Sequence, residues 1–406
     1  MELSEQVINV VSMSTLYWLS ALIPLLMMPI VLPMVVLMAK KKRMTDAPNA
    51  RKLQKQPVVV MGGMVIVSII CTTLLIINIF YSLDALFPLL CMILVIYTFG
   101  MLDDNIGLSW QFKLVMQIAA VLLFYVAGSY GVHSLHGLFG IEDVPYWPSM
   151  FITLFVGLLL FNAVNFIDGI DGLASGLGAM AAYIMSFWNI YHGYVDQAVL
   201  SLAMASTLTL FFVYNVFSVK YKTYMGDSGS LAVGLFVYIS SCPTTYNTVG
   251  TGMLVDRYFI TFIVALLSAM IFDLIRVVIF RIMRGKSPFE PDRTHLHHIY
   301  VDLGMSHFMA TTIILISNAF VIAVWFWTAY YGMDITLQFF FVILVGIIVF
   351  WTPVMRMNYL VNKKPAKYDR IRSRTLKISN ALEPVYTIIN KIIDRRRVVS
   401  LSHDKQ

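Results

Sequence analysis

The 406-residue chain is 59% hydrophobic and only 13% charged, with a mean hydropathy of +0.78. A soluble domain carries roughly 25% charged residues, so the composition excludes one and implies a polytopic membrane protein. The net charge of +7 sits in loops beside apolar runs, which points to a membrane surface and away from nucleic acid.

The first apolar segment, Leu16 to Ala39, is too long for a signal-peptide core. Lys40, Lys41, Lys42 and Arg43 follow it. That is a stop-transfer flank without a small-residue cleavage site, so the segment is expected to remain as the first span. A helical span takes about 20 mostly apolar residues, and on that basis about eleven segments qualify. They are 14–39, 58–80, 84–102, 112–132, 147–165, 171–191, 197–219, 229–246, 257–282, 307–330 and 335–353. The fold class is therefore all-α. Cys71, Cys91 and Cys242 stand apart in or near apolar runs and suggest neither a disulfide framework nor a zinc cluster.

Lys and Arg set the orientation. They cluster after spans one, seven, nine and eleven, and Lys113 follows span three. All these loops fall on one side, which is expected to be cytoplasmic. The opposite loops are nearly free of Lys and Arg, Arg257 excepted. The N-terminus is then outside and the C-terminus cytoplasmic. Exterior connections are short. The chain divides into a transmembrane domain, 1–360, and a basic cytoplasmic tail, 361–406. Within the tail, Leu376 to Ile393 has near-helical apolar spacing. It reads either as a solvated segment or as a helix lying on anionic lipid headgroups.

This topology gathers unusual residues at one face. NAVNFIDGIDG, Asn162 to Gly172, closes span five with Asn165, Asp168 and Asp171. Carboxylates at a membrane edge are costly, although Asn and Asp also cap helices. Span three ends in Asp103 and Asp104; adjacent carboxylates repel, which suits a base or a shared cation. YMGDSGS carries Asp227 between glycines, and SPFEPDRTHLHH, Ser287 to His298, follows span nine. Mg²⁺ takes hard oxygen ligands, usually one or two carboxylates plus substrate phosphates, and Asp227 suits such a ligand. His295, His297 and His298 do not share one helix face, which disfavours zinc. With Arg293 they read as donors to phosphates and hydroxyls, since a guanidinium fork binds two oxygens at once.

With these motifs in order, the chain resembles the polyprenyl-phosphate N-acetylhexosamine-1-phosphate transferases. Within them it is similar to the bacterial undecaprenyl-phosphate GlcNAc-1-phosphate branch. The matching pieces are DAPNARK…GG at 46–63, LDD at 102–104, NAVNFIDGIDGL at 162–173, YMGDSGS at 224–230 and SPFEPDRTHLHH at 287–298. The resemblance implies an eleven-span fold, usually a homodimer, in the plasma membrane, with a cytoplasmic active site. It implies a Mg²⁺ cofactor, for which Mn²⁺ can substitute. The substrates it implies are UDP-GlcNAc and undecaprenyl phosphate. Asp227 matches the metal-binding Asp, and Asn165 an Asn that helps hold metal or diphosphate. Asp103 matches the acid proposed as base toward the lipid phosphate, with Asp104 beside it. Asp168 and Asp171 match acids assigned to catalysis and nucleotide binding, Asp171 being the uridine-side one. Arg293, His295, His297 and His298 match the loop linked to sugar and phosphate recognition. Gln54 departs from the family, which usually has His there; Gln cannot carry a proton. Two rivals fare worse. The sister transferase of phospho-MurNAc-pentapeptide has three consecutive histidines where this chain has HLHH. An ion-coupled transporter would carry acids near the midplane and internal repeats.

Overall fold

The structure, a computed structural model, describes residues 2–42, 58–83, 86–128, 130–242, 257–288 and 293–394, the side chains of 2–11 and 127–128 excepted. The DAPNARK motif, with Gln54, and residues 289–292 of the histidine loop lie outside the described residues.

The described chain is a bundle of helices. In order these are α1 (Glu2–Lys41), α2 (Gly62–Tyr81), α3 (Leu86–Ile106), α4 (Trp110–Gly128), α5 (Tyr146–Ile167), α6 (Leu173–Tyr191), α7 (Val195–Phe217) and α8 (Gly226–Ser241). There follow α9 (Phe259–Leu266), α10 (Ser268–Met283), α11 (Leu296–Asp302), α12 (His307–Tyr330), α13 (Ile335–Lys363), α14 (Pro365–Ala381) and α15 (Glu383–Asp394). Eight of them, namely α1, α2, α3, α5, α6, α7, α12 and α13, are long and apolar enough to cross a membrane. The pair α9–α10, bent by 73°, makes nine if it is one span. The other two expected segments coincide with α4, of which the apolar stretch Trp110–Val126 is shorter, and with α8, of 16 residues. The protein is thus an all-α, multi-pass membrane protein.

Two features of the bundle place the site. The first is close helix approach. In lipid, association rests on tight packing of small residues more than on the hydrophobic effect. The inner helix α6 buries Ala174, Ser175, Gly176, Gly178, Ala181 and Ala182, whereas α1 and α5 turn Trp18, Leu26, Phe151 and Phe155 outward. Gly63 of α2 and Gly100 of α3 lie so near the start of α8 that a Cβ on either would overlap the backbone at Ser228–Gly229. A two-residue parallel ladder, β1 (Val59–Val60) on β2 (Thr223–Tyr224), pairs Val59 with Thr223 and Val60 with Tyr224. The Gly63 N–H then donates to the Met225 carbonyl at 2.8 Å. The MGG and YMGDSG stretches, far apart in the chain, therefore form one structural unit.

The second feature is the break at Leu267. A backbone interrupted inside a bundle must find new partners. Asn318 of α12, fully buried, supplies them. Its Oδ1 accepts from Ser268 Oγ and the Ala269 N–H, both at 2.8 Å, and its Nδ2 donates to the Leu266 carbonyl at 2.8 Å. Asn318→Leu strands these groups. We expect a loss of about 2–4 kcal/mol, read as a lower unfolding temperature in detergent with α9–α10 the first segment to exchange amide hydrogens. Unchanged thermal stability would show that the break holds without Asn318.

The described part of the tail, to Asp394, packs on the bundle. α14 donates Arg372 Nε to the Asp302 carbonyl at 3.1 Å, and Ser379 Oγ accepts the Ser306 N–H at 2.9 Å. α15 packs Tyr386 against Phe217, with ring centroids 5.2 Å apart and the rings tilted by 52°. Both helices close over the end of the bundle that carries the acids.

Candidate active site

Asp227 occupies the first turn of α8, after the β2 strand and Gly226. Its position is set from α3. Asp104 accepts the Asp227 N–H through Oδ1 at 2.7 Å, and the Ser228 N–H and hydroxyl through Oδ2 at 3.0 and 2.6 Å. These are the orphan donors of a helix start, here capped by an acid of another helix. Asp104, expected among the catalytic acids, thus has both oxygens engaged in holding Asp227.

The Asp227 carboxylate faces inward. Its Oδ1 accepts Asn165 Nδ2 at 2.6 Å, and the same amide donates to Ser230 Oγ at 3.0 Å. Its Oδ2 meets Lys113 Nζ at 3.1 Å. Lys113 also forms an ion pair with Asp103, which is buried and accepts the Leu108 N–H at 2.9 Å. One ammonium therefore bridges two carboxylates brought together by α3, α4 and α8. Beside it opens a cavity of about 240 Å³, walled by Ile96, Phe99, Trp110 and Leu114, with Asp103, Lys113 and Asn165 among its polar residues.

Asp168 ends α5 close to this group. Burial, then the negative charges of Asp227, Asp171 and Asp104, push its carboxyl up to about 7. A carboxyl near 7 can both hold and give up a proton at neutral pH. Asp171 behaves in the opposite way. Its Oδ2 meets Lys222 Nζ at 2.6 Å and His307 Nδ1 at 2.8 Å. Burial alone would raise this carboxyl, but these partners outweigh it and hold it below the usual carboxylate range. The two acids of FIDGID are thereby set apart, one poised to exchange protons and one fixed as an anion.

The three histidines, spaced to avoid a common helix face, nevertheless form a row. His295 precedes α11 in extended conformation, so its ring lies against the first turn. Ring centroids are 5.6 Å apart for His295–His297 and 4.3 Å for His297–His298. His295 pairs with buried Asp273 at 2.8 Å, and Asp273 also meets Arg276 at 2.6 Å; this anchors the row. Burial, then the charge of His298, holds His297 well below the ordinary imidazole range. Burial, then His295 and Arg293, brings His298 to about 4. Both are neutral at pH 7, so each offers one N–H and one lone pair. Neither ring nitrogen of His297 has a protein partner among the described residues. Arg293 is half-exposed and paired with Asp302 at 3.0 Å, outside the carboxylate group.

The His297 ring presses on the Cα of Gly169, where an added Cβ would collide with Nε2. This contact joins FIDGID to HLHH. Gly169→Ala should therefore push the imidazole aside. We expect turnover to fall roughly tenfold to a hundredfold, the scale of an ångström misplacement, with unfolding temperature little changed. Wild-type turnover by the variant would show that the contact has no bearing on activity.

Lys113, Lys222 and His307 were not among the expected site residues. The two lysines enter the sequence reading only as orientation signals, since lysines near the ends of apolar segments are common as interface anchors. His307 opens α12 with no motif around it, and nothing local marks it.

A bundle of apolar helices with acids, lysines and neutral histidines gathered at one end defines a membrane enzyme working at the membrane edge. Residues 86–245 match glycosyl transferase family 4. The chain is 30% identical over 286 residues to an undecaprenyl-phosphate alpha-N-acetylglucosaminyl 1-phosphate transferase of Escherichia coli K12, covering 69% of this chain and 75% of that protein. It is 29% identical over 285 residues to the protein of that name from Yersinia pestis, covering 69% and 76%. It is also 32% identical over 231 residues to a decaprenyl-phosphate N-acetylglucosaminephosphotransferase of Mycobacterium leprae, covering 52% and 57%. The chain belongs to the undecaprenyl-phosphate N-acetylglucosaminyl 1-phosphate transferase family.

Proposed function

We propose that the protein transfers GlcNAc-1-phosphate from UDP-GlcNAc to undecaprenyl phosphate, releasing UMP and forming undecaprenyl-diphosphate-GlcNAc. That product would begin a cell-surface polysaccharide. The observation that carries the reading is Lys113, bridging Asp103 and Asp227 beside an apolar-walled cavity. A lipid phosphate needs an apolar approach to a cation, and the cavity's apolar wall leads to Lys113, which the phosphate would share with the two carboxylates.

In the reaction a lipid-phosphate oxygen bonds to the sugar-bearing phosphorus, and the bond from that phosphorus to the UMP oxygen breaks. Lys113 offsets the charge of the incoming phosphate. Asp103, beside it, takes or orients the acceptor's proton. Asp168, with its carboxyl near 7, is a second group able to hold a proton there. On the donor side Asp171, fixed as an anion by Lys222 and His307, faces the uridine. His297 and His298, neutral, donate N–H to the diphosphate or the sugar hydroxyls, and Arg293 at the surface meets the nucleotide arriving from water.

The donor set also suits Mg²⁺. Asp227 and Asn165 would hold it; both carry hard oxygens, and a cation, Lys113, already sits against Asp227. When bound, Mg²⁺ supplies charge neutralisation on the diphosphate. Among the described residues no three His, Cys, Asp or Glu side chains form a ready cage. That agrees with an ion sharing its ligands with substrate phosphates. We read the site as cytoplasmic and the enzyme as a homodimer of the plasma membrane, on the Lys/Arg asymmetry and the resemblance respectively.

The test is purified protein with undecaprenyl phosphate and a panel of UDP-sugars, reading UMP and lipid-linked product. We expect UDP-GlcNAc to be the preferred donor. UMP release that does not depend on the lipid, or preference for a MurNAc-pentapeptide donor, would reject the reading. Labelling by an impermeant thiol reagent, in a cysteine-free background, should reach a cysteine at Ser134 from outside and not one at His295.

A further inference from the structure

The tail helix α15 presents one face to the protein through Tyr386, Asn390 and Asp394, spaced four apart. Asn390 Nδ2 donates to the Phe217 carbonyl at 2.9 Å, at the end of α7. Asp394 holds the turn that follows. Its Oδ1 accepts the Ser218 hydroxyl at 2.6 Å, and its Oδ2 accepts the N–H groups of Val219 and Lys220, both at 3.1 Å. The Ser218 oxygen in turn accepts the Tyr221 N–H at 2.8 Å. From α1, Lys40 Nζ donates to the Lys220 carbonyl at 2.8 Å. Every residue from Phe217 to Tyr221 is thus tied, and the next residue is Lys222.

Lys222 is where this matters. Its ammonium meets the Asp171 carboxylate at 2.6 Å. The other partner of Asp171, His307, follows directly on Ser306, whose N–H is bonded to Ser379 of α14. Both groups that fix Asp171 are therefore anchored to the tail within a few residues. A carboxylate accepting three hydrogen bonds, two of them from consecutive main-chain N–H groups, makes charge-assisted contacts stronger than neutral ones. A four-carbon lysine stem is otherwise free to sample many rotamers.

We propose that Asp394 is a positioning residue for donor binding: by clamping the turn 218–221 it aims Lys222 at Asp171. It touches no substrate. The proposal rests on the reading above that Asp171 lies on the UDP-sugar side.

The experiment compares full-length wild type with Asp394→Ala, Lys222→Ala, the double variant and Ser218→Ala. It measures KM for UDP-GlcNAc and kcat at saturating undecaprenyl phosphate. Asp394→Ala should raise KM roughly tenfold, the scale of one lost charge-assisted hydrogen bond, while kcat stays within about twofold. The double variant should be no worse than Lys222→Ala alone, because both act through one contact. Ser218→Ala, which removes one of the three donors, should raise KM by a smaller factor. It carries the test if Asp394→Ala does not fold, and a wild-type KM for it would then overturn the proposal. An unchanged KM in a folded Asp394→Ala would overturn it too. So would effects that multiply in the double variant, or a fall in kcat with KM intact. Absence of transfer by wild type would instead reject the proposed function, a result separable from all of these.

Discussion

Asp227→Ala should reduce transfer on the order of 10³-fold or more, while the protein still folds and inserts. The size follows from what the carboxylate does. It is the only acid that both contacts Asn165 and shares Lys113 with Asp103, among the described residues. Losing a group that stabilises transition-state charge removes several kcal/mol, and each 1.36 kcal/mol is about tenfold in rate. The expectation of a folded variant is equally physical. Asp104 caps α8 through the main-chain N–H groups of residues 227 and 228 and the Ser228 hydroxyl. None of these depends on the Asp227 side chain. Rates at matched expression, with a thermal melt in detergent, check both halves. Wild type should lose activity in EDTA and regain it with Mg²⁺ or Mn²⁺. Near-normal turnover by a folded Asp227→Ala would remove Asp227 from the reaction.

Asp103→Asn should lower turnover by about 10²- to 10⁴-fold, the range for loss of a positioned acid or base, with KM for UDP-GlcNAc changed only slightly. Asn retains an oxygen for the Leu108 N–H, so the end of α3 should keep its shape. What it loses is the charge that pairs with Lys113 and the ability to take a proton. Asp103 is buried against the apolar-walled cavity, whereas Asp171 pairs with Lys222 and His307 and does not line that cavity. The histidine row should divide differently from Asp103: His297→Ala should weaken UDP-GlcNAc binding. Calorimetric titration of UDP-GlcNAc, alongside rates at saturating lipid, separates the two effects. If Asp103→Asn abolished nucleotide-sugar binding while His297→Ala left it intact, the assignment of lipid and donor sides would be reversed.

The apolar runs, their lengths and their breaks at charged loops determined the all-α membrane architecture. That signal is local, because a helix in lipid must satisfy its own backbone. The acids were legible for a related reason: Asp103, Asp168, Asp171 and Asp227 stand at the ends of apolar segments, where a charge is conspicuous. Their roles were not legible. Asp103 and Asp104 are neighbours in sequence, yet one pairs with Lys113 and the other caps α8. Asp168 and Asp171 belong to one motif, yet their carboxyls move in opposite directions. The difference comes from partners distant in the chain, Lys222 and His307 for Asp171, and from the acids crowding Asp168. Likewise the HLHH spacing argued against a shared face, and only the extended residue before α11 brings the three rings into a row. The break at Leu267 depends on Asn318, some fifty residues on. Composition and periodicity report what each segment prefers. Electrostatic role depends on which charges approach within a few ångströms, and that is decided by tertiary packing, of helices and of the turns between them.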